Sequence, residues 1–162
     1  MQVLISDANI LIDIEEGELL EEMFKLPYIF SIPDILFYEE MEEEHEHLIG
    51  LGLRLDELSG QTLKYGIDLT QQYKKPSRND CFALALAKQE KCPLLTGDRD
   101  LRIAAENEAV VVVGTIWLIT QLVQHELITA ELARIAYDKM KDAGRRLPWD
   151  KAELKLRELN RI

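Results

Sequence analysis

Short apolar runs and amphipathic stretches take turns along this chain. Val3-Leu4-Ile5 is apolar throughout and ends in Ser6-Asp7, which predicts a strand buried on both faces. Residues 8–14 and 19–26 keep their apolar positions on one side and predict helices. Tyr28-Ile29-Phe30-Ser31 predicts a second strand, closed by Pro33. Proline suits a first helical turn, so residues 34–46 are expected to be helical. A short edge strand is expected at 53–58 and a helix at 61–73. Ser77, with Asp80 three residues on, resembles a capping box with Asp in place of the usual Glu. Cys81-Phe82-Ala83-Leu84-Ala85-Leu86-Ala87 follows and is apolar nearly all round, so this helix should lie deep in the core. Pro93-Leu94-Leu95-Thr96 predicts the next strand and residues 98–107 a helix. Residues 109–113 predict another buried strand, and 115–124 a helix after Gly114. A helical tail at 129–141 and 150–161 is interrupted by Gly144-Arg145-Arg146-Leu147-Pro148-Trp149.

This alternation predicts an α/β protein, a three-layer α/β/α sandwich around a central, mainly parallel sheet of four or five short strands. The 162 residues suit one domain, with a helical C-terminal extension from about residue 125 to 162. No apolar run approaches the roughly 20 residues that span a bilayer. The first residues reach an acid with no basic segment before it, so no signal peptide is expected. Cys81 and Cys92 have neither a CxxC spacing nor a nearby His pair. They are expected to be free thiols in a reducing compartment, the cytoplasm.

The net charge of −11, from 30 acids and 19 bases, disfavours broad electrostatic adhesion to nucleic acid. A role of that kind has to rest on local basic patches or bound cations. A basic protein partner would suit such a surface.

Ligands of open parallel α/β sheets bind outside the carboxyl ends of the strands. Asp7 follows the first strand and Asp98 follows the Pro93–Thr96 segment, so both should project from one sheet edge. Asp80 starts the buried helix that feeds the second of these strands, and Glu39 lies on the helix after the second strand. Each aspartate has a plain explanation as a helix cap, worth about 1 kcal/mol. Glu39 sits in an acidic run that reads as a solvated helix face. Together they are harder to dismiss. Two like charges about 4 Å apart cost roughly 4 kcal/mol at an effective dielectric near 20, so a cluster must protonate or hold a cation. Oxygen ligands without Cys or His select a hard ion such as Mg²⁺ or Mn²⁺. Such an ion polarises a phosphoryl oxygen, lowers the pKa of water and orients in-line attack on a phosphate ester.

The segments "LISDANILIDI", "IPDILFYEEM", "SRNDCFALALA" and "LLTGDRDLR", in this order, resemble the PIN-domain ribonucleases, most of whose bacterial members are toxins of type II toxin–antitoxin pairs. The likeness covers residues 1 to about 124; the tail fits it less well. It implies that Asp7, Glu39, Asp80 and Asp98 are the catalytic, metal-holding acids. Glu39 is placed by its offset from Pro33, and Glu40 competes for that role because it precedes Met41. Asn9, Ser77 and Thr96 match supporting polar positions, whereas Asp100 has no firm counterpart and is a second-layer group or a first-turn acid. The resemblance further implies Mg²⁺- or Mn²⁺-dependent hydrolysis of single-stranded RNA by metal-activated water, a cognate antitoxin and, by analogy, a homodimer.

Lys74, Lys75 and Arg78 before Asp80, with Arg99 and Arg102 after Asp98, can take RNA phosphates or merely solvate helix ends. Two other functions compete. One is a non-catalytic PIN-like interaction protein. The other is a haloacid-dehalogenase-like phosphatase, whose second N-terminal acid is missing from Asp7-Ala8-Asn9. His45 and His47, two apart on an expected helix, should not share a face.

Overall fold

The structure, a computed structural model, describes residues 1–160. Strands form at Gln2–Ser6 (β1), Tyr28–Pro33 (β2), Arg54–Asp56 (β3), Leu94–Leu95 (β4) and Val112–Val113 (β5). All pair in parallel, in the order β3-β2-β1-β4-β5. The chain steps outward from β1 through β2 to the edge at β3, then crosses back to lay β4 on the other side of β1. Right-handed crossovers that run in opposite directions put helices on both faces, which gives the expected three layers. They also make a topological switch point between β1 and β4. There Ile5 pairs with Leu94 and Ser6 with Leu95, so the residues that follow, Asp7 and Thr96, emerge side by side.

Two strands are shorter than their apolar runs. β5 starts only at Val112, because Ala109 takes a left-handed conformation (φ +62°) and the Val110 N–H donates to Ala105 O at 2.9 Å. These residues close the preceding helix instead of opening the strand. β4 is flanked by Pro93, which has no N–H to give. Its neighbours still bond across the ladder: Ile5 N–H donates to Pro93 O and Thr96 N–H to Val113 O, at 3.2 and 3.0 Å.

The first helix, α1 (Ala8–Glu16), is capped by Asp7, and α2 (Leu20–Met23) is a single turn. The helix expected at 34–46 breaks into α3 (Asp34–Glu40), α4 (Glu42–His45) and α5 (His47–Leu51). Met41 leaves helical geometry at φ −127° and is almost wholly buried, while Glu42, Glu43 and Glu44 stay in solvent. The same break lets His45 and His47 reach one carboxylate, that of Glu15. α5 stops at Gly52, whose φ of +129° needs glycine, and whose missing side chain leaves room for the Phe24 ring.

After α6 (Gly60–Gln72) comes α7 (Arg78–Glu90), with every residue from Cys81 to Ala87 buried. α7 packs on β1, β2 and β4 and carries α6 on its back. The two helices touch closely at Gly66, where a Cβ would stand 2.6 Å from Phe82 Cδ1. α8 (Arg99–Asn107) and α9 (Thr115–Gln124) follow their strands as expected. In the tail, α10 (Ala130–Asp142) lies on α1, and α11 (Trp149–Asn160) lies on α9. Ala136, Met140, Ala152 and Leu156 belong to the same hydrophobic cluster as the sheet. Both cysteines are free and buried, and burial pushes their thiols up to about 11. Among the described residues no helix is long and apolar enough to cross a membrane.

Candidate active site

The carboxyl edge of the sheet gathers the predicted acids, each in a definite local role. Asp7 leaves β1 with its backbone N–H bonded to Leu95 O at 3.0 Å, which fixes it beside β4. It is only 2% exposed. Its Oδ1 accepts from Ile10 N at 3.0 Å as the α1 cap, and its Oδ2 accepts from Thr96 Oγ1 at 2.5 Å. Burial raises its pKa to about 6, against the lowering effect of those two bonds, and the charges of Asp80 and Asp13 raise it further.

Thr96 joins the two central strand ends. Its hydroxyl donates to Asp7 and accepts from Asp98 N at 3.1 Å. Asp98 is exposed and caps α8, accepting from Leu101 N at 2.8 Å. Asp80 and Ser77 form the expected capping box. Asp80 Oδ2 accepts from Ser77 N at 3.1 Å, and Ser77 Oγ accepts from Asp80 N at 3.1 Å. Burial raises the Asp80 pKa, the Ser77 bonds oppose this, and the charges of Asp98 and Glu40 add to it. Asp80 is therefore the hub of a shared negative field: Asp7, Asp98 and Glu40 are each coupled to it.

The glutamates at the end of α3 divide. Glu39 pairs with the Arg78 guanidinium, which also lies 5.6 Å from the Phe82 ring centre. Glu40 accepts from Asn79 Nδ2 at 2.7 Å, next to Asp80 in sequence. Asp100 is a half-buried residue of the first turn of α8. Lys74 approaches Gln71, 3.5 Å away.

The field is shared, yet the ligand set is not closed. Among the described residues no three His, Cys, Asp or Glu side chains stand close enough to hold a metal ion. Each aspartate is turned toward the N–H groups of its own helix, and Glu39 toward Arg78. Those hydrogen bonds and the Arg78 pair hold the carboxylates in that separation. The donor chemistry nevertheless fits a hard divalent ion: all oxygen, several charges, and a buried carboxylate held above its usual pKa. No Lys or Arg among the described residues forms an ion pair with Asp7, Asp80 or Asp98. Among those residues Asp80 Oδ1 and Asp98 Oδ2 have no hydrogen-bond partner, which leaves each an oxygen to offer.

Three residues beside the site were not singled out in the sequence. Asp13 is buried in α1; it accepts from Thr115 Oγ1 at 2.8 Å and from Arg145 Nε at 2.6 Å. Arg145 Nη2 also reaches Asn9 Oδ1 at 3.1 Å. The C-terminal loop is thus clamped to the helix that Asp7 caps. A lone acid inside Ile10-Leu11-Ile12-Asp13-Ile14 was the available signal, because a charge in such a run needs a partner.

No curated protein matches the chain. A family model described as PIN domain matches residues 3–161, so the similarity runs through the tail as well as the alternating core. PIN domains are generally nucleases that act on nucleic acids and use divalent metal ions. With its all-parallel sheet and the acids gathered at its carboxyl edge, this chain belongs to the PIN-domain family.

Proposed function

We propose that the protein is a Mg²⁺- or Mn²⁺-dependent endoribonuclease that cleaves single-stranded RNA, and that it is the toxin of a toxin–antitoxin pair. The observation that carries the reading is the coupled field at the sheet edge: a buried Asp7 raised to about 6, tied through Asp80 to Asp98 and Glu40, with no basic partner for the aspartates among the described residues. Asp7, Asp80 and Asp98 would hold the metal. The fourth carboxylate comes from the end of α3, where Glu40 already acts on Asp80 and Glu39 joins on parting from Arg78. The metal, when bound, polarises the phosphoryl oxygen and activates water for in-line attack.

The chain's own groups supply position and charge. Asp7 is aimed by Ile10 N and Thr96 Oγ1, and Asp98 by Leu101 N, so neither carboxylate is free to swing out of the field. Thr96 couples the two positions through one hydroxyl. The strongly acidic surface suits a basic antitoxin segment.

Cleavage of a labelled single-stranded RNA with Mn²⁺, but not with EDTA, tests the reaction. Asp80→Asn should abolish it, and equal activity in that variant would trace the signal to contamination. Growth arrest on expression, absent with Asp80→Asn, tests the toxin role; a harmless wild type refutes that part alone.

One observation favours a second reading. Asp7 and Asp98 already serve as helix caps and Asp80 completes the capping box of Ser77, as they would in a non-catalytic interaction protein of this family. The nuclease reading predicts that Mn²⁺ raises the melting temperature, and raises it less for Asp98→Asn, by mass action. A melting temperature indifferent to Mn²⁺ would favour the interaction protein.

A further inference from the structure

The loop between α10 and α11 does more than connect two helices. Arg145 pins it to Asp13 and Asn9 on α1, with side-chain exposure of only 24% for the arginine and 10% for Asp13. The next residue, Arg146, is thereby set at a cavity of about 380 Å³ that opens beside the acids. Thr96 and Gly97, the link between Asp7 and Asp98, form its inner wall. Arg102 of α8 and Lys151 of α11 line it together with Arg146. Arg146 and Gly97 also line an adjoining cavity of about 440 Å³ that contains Asp98. The depression is therefore continuous with the candidate active site.

Three cations converging on one hollow are unexpected in a chain of net charge −11. Among the described residues none of the three forms a salt bridge, while Arg78, Arg134, Lys139 and Arg145 all do. All three are exposed, so their charge is available to a ligand. Asp13 and Thr115 also line the cavity, the Asp13 carboxylate being engaged by Thr115 and Arg145, and Trp117, Leu147 and Pro148 supply an apolar part of the wall. Trp117 is half-buried and held from behind by Tyr28, with ring centres 5.7 Å apart. Cations for a phosphate, beside a flat apolar surface for a base, are what a single unpaired nucleotide needs. The volume suits one such unit.

We propose that this cavity is a subsite for one nucleotide of the single-stranded substrate next to the cleaved bond. Arg146 and Lys151, with Arg102, hold its phosphate, and Trp117 lies against its base. The subsite rests on the nuclease reading above and gives the C-terminal helices a part in binding. Arg146 and Lys151 are positioning residues; they do not touch the reacting atoms.

The test uses the full chain and a 5′-labelled single-stranded oligouridylate. Its affinity is measured by anisotropy in EDTA, where no cleavage occurs. Arg146→Gln with Lys151→Gln should weaken binding about tenfold and flatten the salt dependence by roughly 0.7, the slope expected for one single-strand phosphate. A charge-matched control, Lys25→Gln with Lys64→Gln on other surfaces, should stay within about twofold. In Trp149→Phe the only remaining tryptophan is Trp117, and oligomer binding should quench its emission. Equal affinities for the Arg146/Lys151 variant and the control overturn the phosphate site, and an unquenched Trp117 overturns the base contact. If either result accompanies normal Mn²⁺-dependent cleavage, the subsite falls and the nuclease stands. A wild type that binds but does not cleave refutes the nuclease while the variant's affinity still decides the subsite. One that does neither refutes both.

Discussion

The junctions after β1 and after β4 use one device in two environments. In each, a strand ends, an aspartate caps the next helix, and the two sit side by side because Ser6 and Leu95 are in register. Asp7 is sealed under Thr96 with its pKa raised to about 6, whereas Asp98 stands in solvent. The same local sequence logic therefore produces one cap whose carboxyl is buried and raised above its ordinary pKa and one cap that is exposed. Burial makes most of the difference, and the charges of Asp80 and Asp13 add to it. An acid kept ionised at a cost in stability is the mark of a functional position.

The largest separation between the two should appear on exchange to asparagine. Either Asp7→Asn or Asp98→Asn should lower Mn²⁺-dependent cleavage by more than about a hundredfold, since loss of even an outer-shell partner costs ten- to a hundredfold. Their stabilities should diverge. Asn caps a helix about as well as Asp, so Asp98→Asn should be nearly neutral. Asp7→Asn removes a buried charge and should stabilise the protein at pH 7, by up to roughly 3 kcal/mol. Chemical denaturation in EDTA reads both values. Equal stabilities would mean that Asp7 is not strained.

The pH dependence has a defined sign. The folded-state pKa of Asp7, about 6, lies above its ordinary value of 3.8, so between these values the folded state holds more protons than the unfolded one. The contribution is most favourable below the unfolded value and is lost as pH rises through about 6. Metal-free wild type should therefore lose roughly 3 kcal/mol from this group between about pH 4 and 6.5, before other groups add their own slopes. Subtracting the Asp7→Asn curve isolates it. A flat difference curve would show that the buried carboxyl is not perturbed. Thr96→Val should come next. It leaves Asp7 Oδ2 and Asp98 N without their shared hydroxyl and should cost about 2 kcal/mol, measured by denaturation. Because that hydroxyl favours the ionised carboxylate, its loss should also move the Asp7 titration upward.

How much of this was legible beforehand follows from the range of the interactions involved. The Ser77–Asp80 box, the buried run from Cys81 to Ala87 and the caps at Asp7 and Asp98 are all local, and they formed where the sequence placed them. The parallel pairing also followed from the alternation of strand and helix, whereas the strand order was not foreseen. The ends of elements were less readable. Met41 breaks its helix because burying that side chain outweighs continuing the turn, which is a tertiary decision. Arg145 and Asp13 are 132 residues apart, so no spacing rule connects them. The tail seemed featureless for the same reason: its arginines gain meaning only when α10 and α11 fold back onto α1 and α9. That the acids share one edge was an expectation from their places after strands and at helix starts. Their turning apart, each toward its own helix, depends on hydrogen-bond geometry that residue types do not specify.

The smallest expected contrast lies at the end of α3, and it sharpens the comparison by asking which glutamate answers to the two junctions. Glu39 and Glu40 are adjacent, exposed and chemically alike, so the sequence left their roles open. The structure separates them through their partners. Glu39 shares its charge with Arg78, while Glu40 contacts Asn79 and raises the pKa of Asp80. Glu40→Gln should therefore remove charge from the field that binds the metal, and Glu39→Gln should mainly release Arg78. We expect Glu40→Gln to weaken half-saturation by Mn²⁺ about tenfold and Glu39→Gln about threefold or less, in the range found for groups around a metal. Exposed side chains of this kind leave stability almost unchanged, so melting in EDTA should not distinguish them. The reverse ranking would mean that metal binding draws Glu39 away from Arg78 and into the set of metal-holding acids.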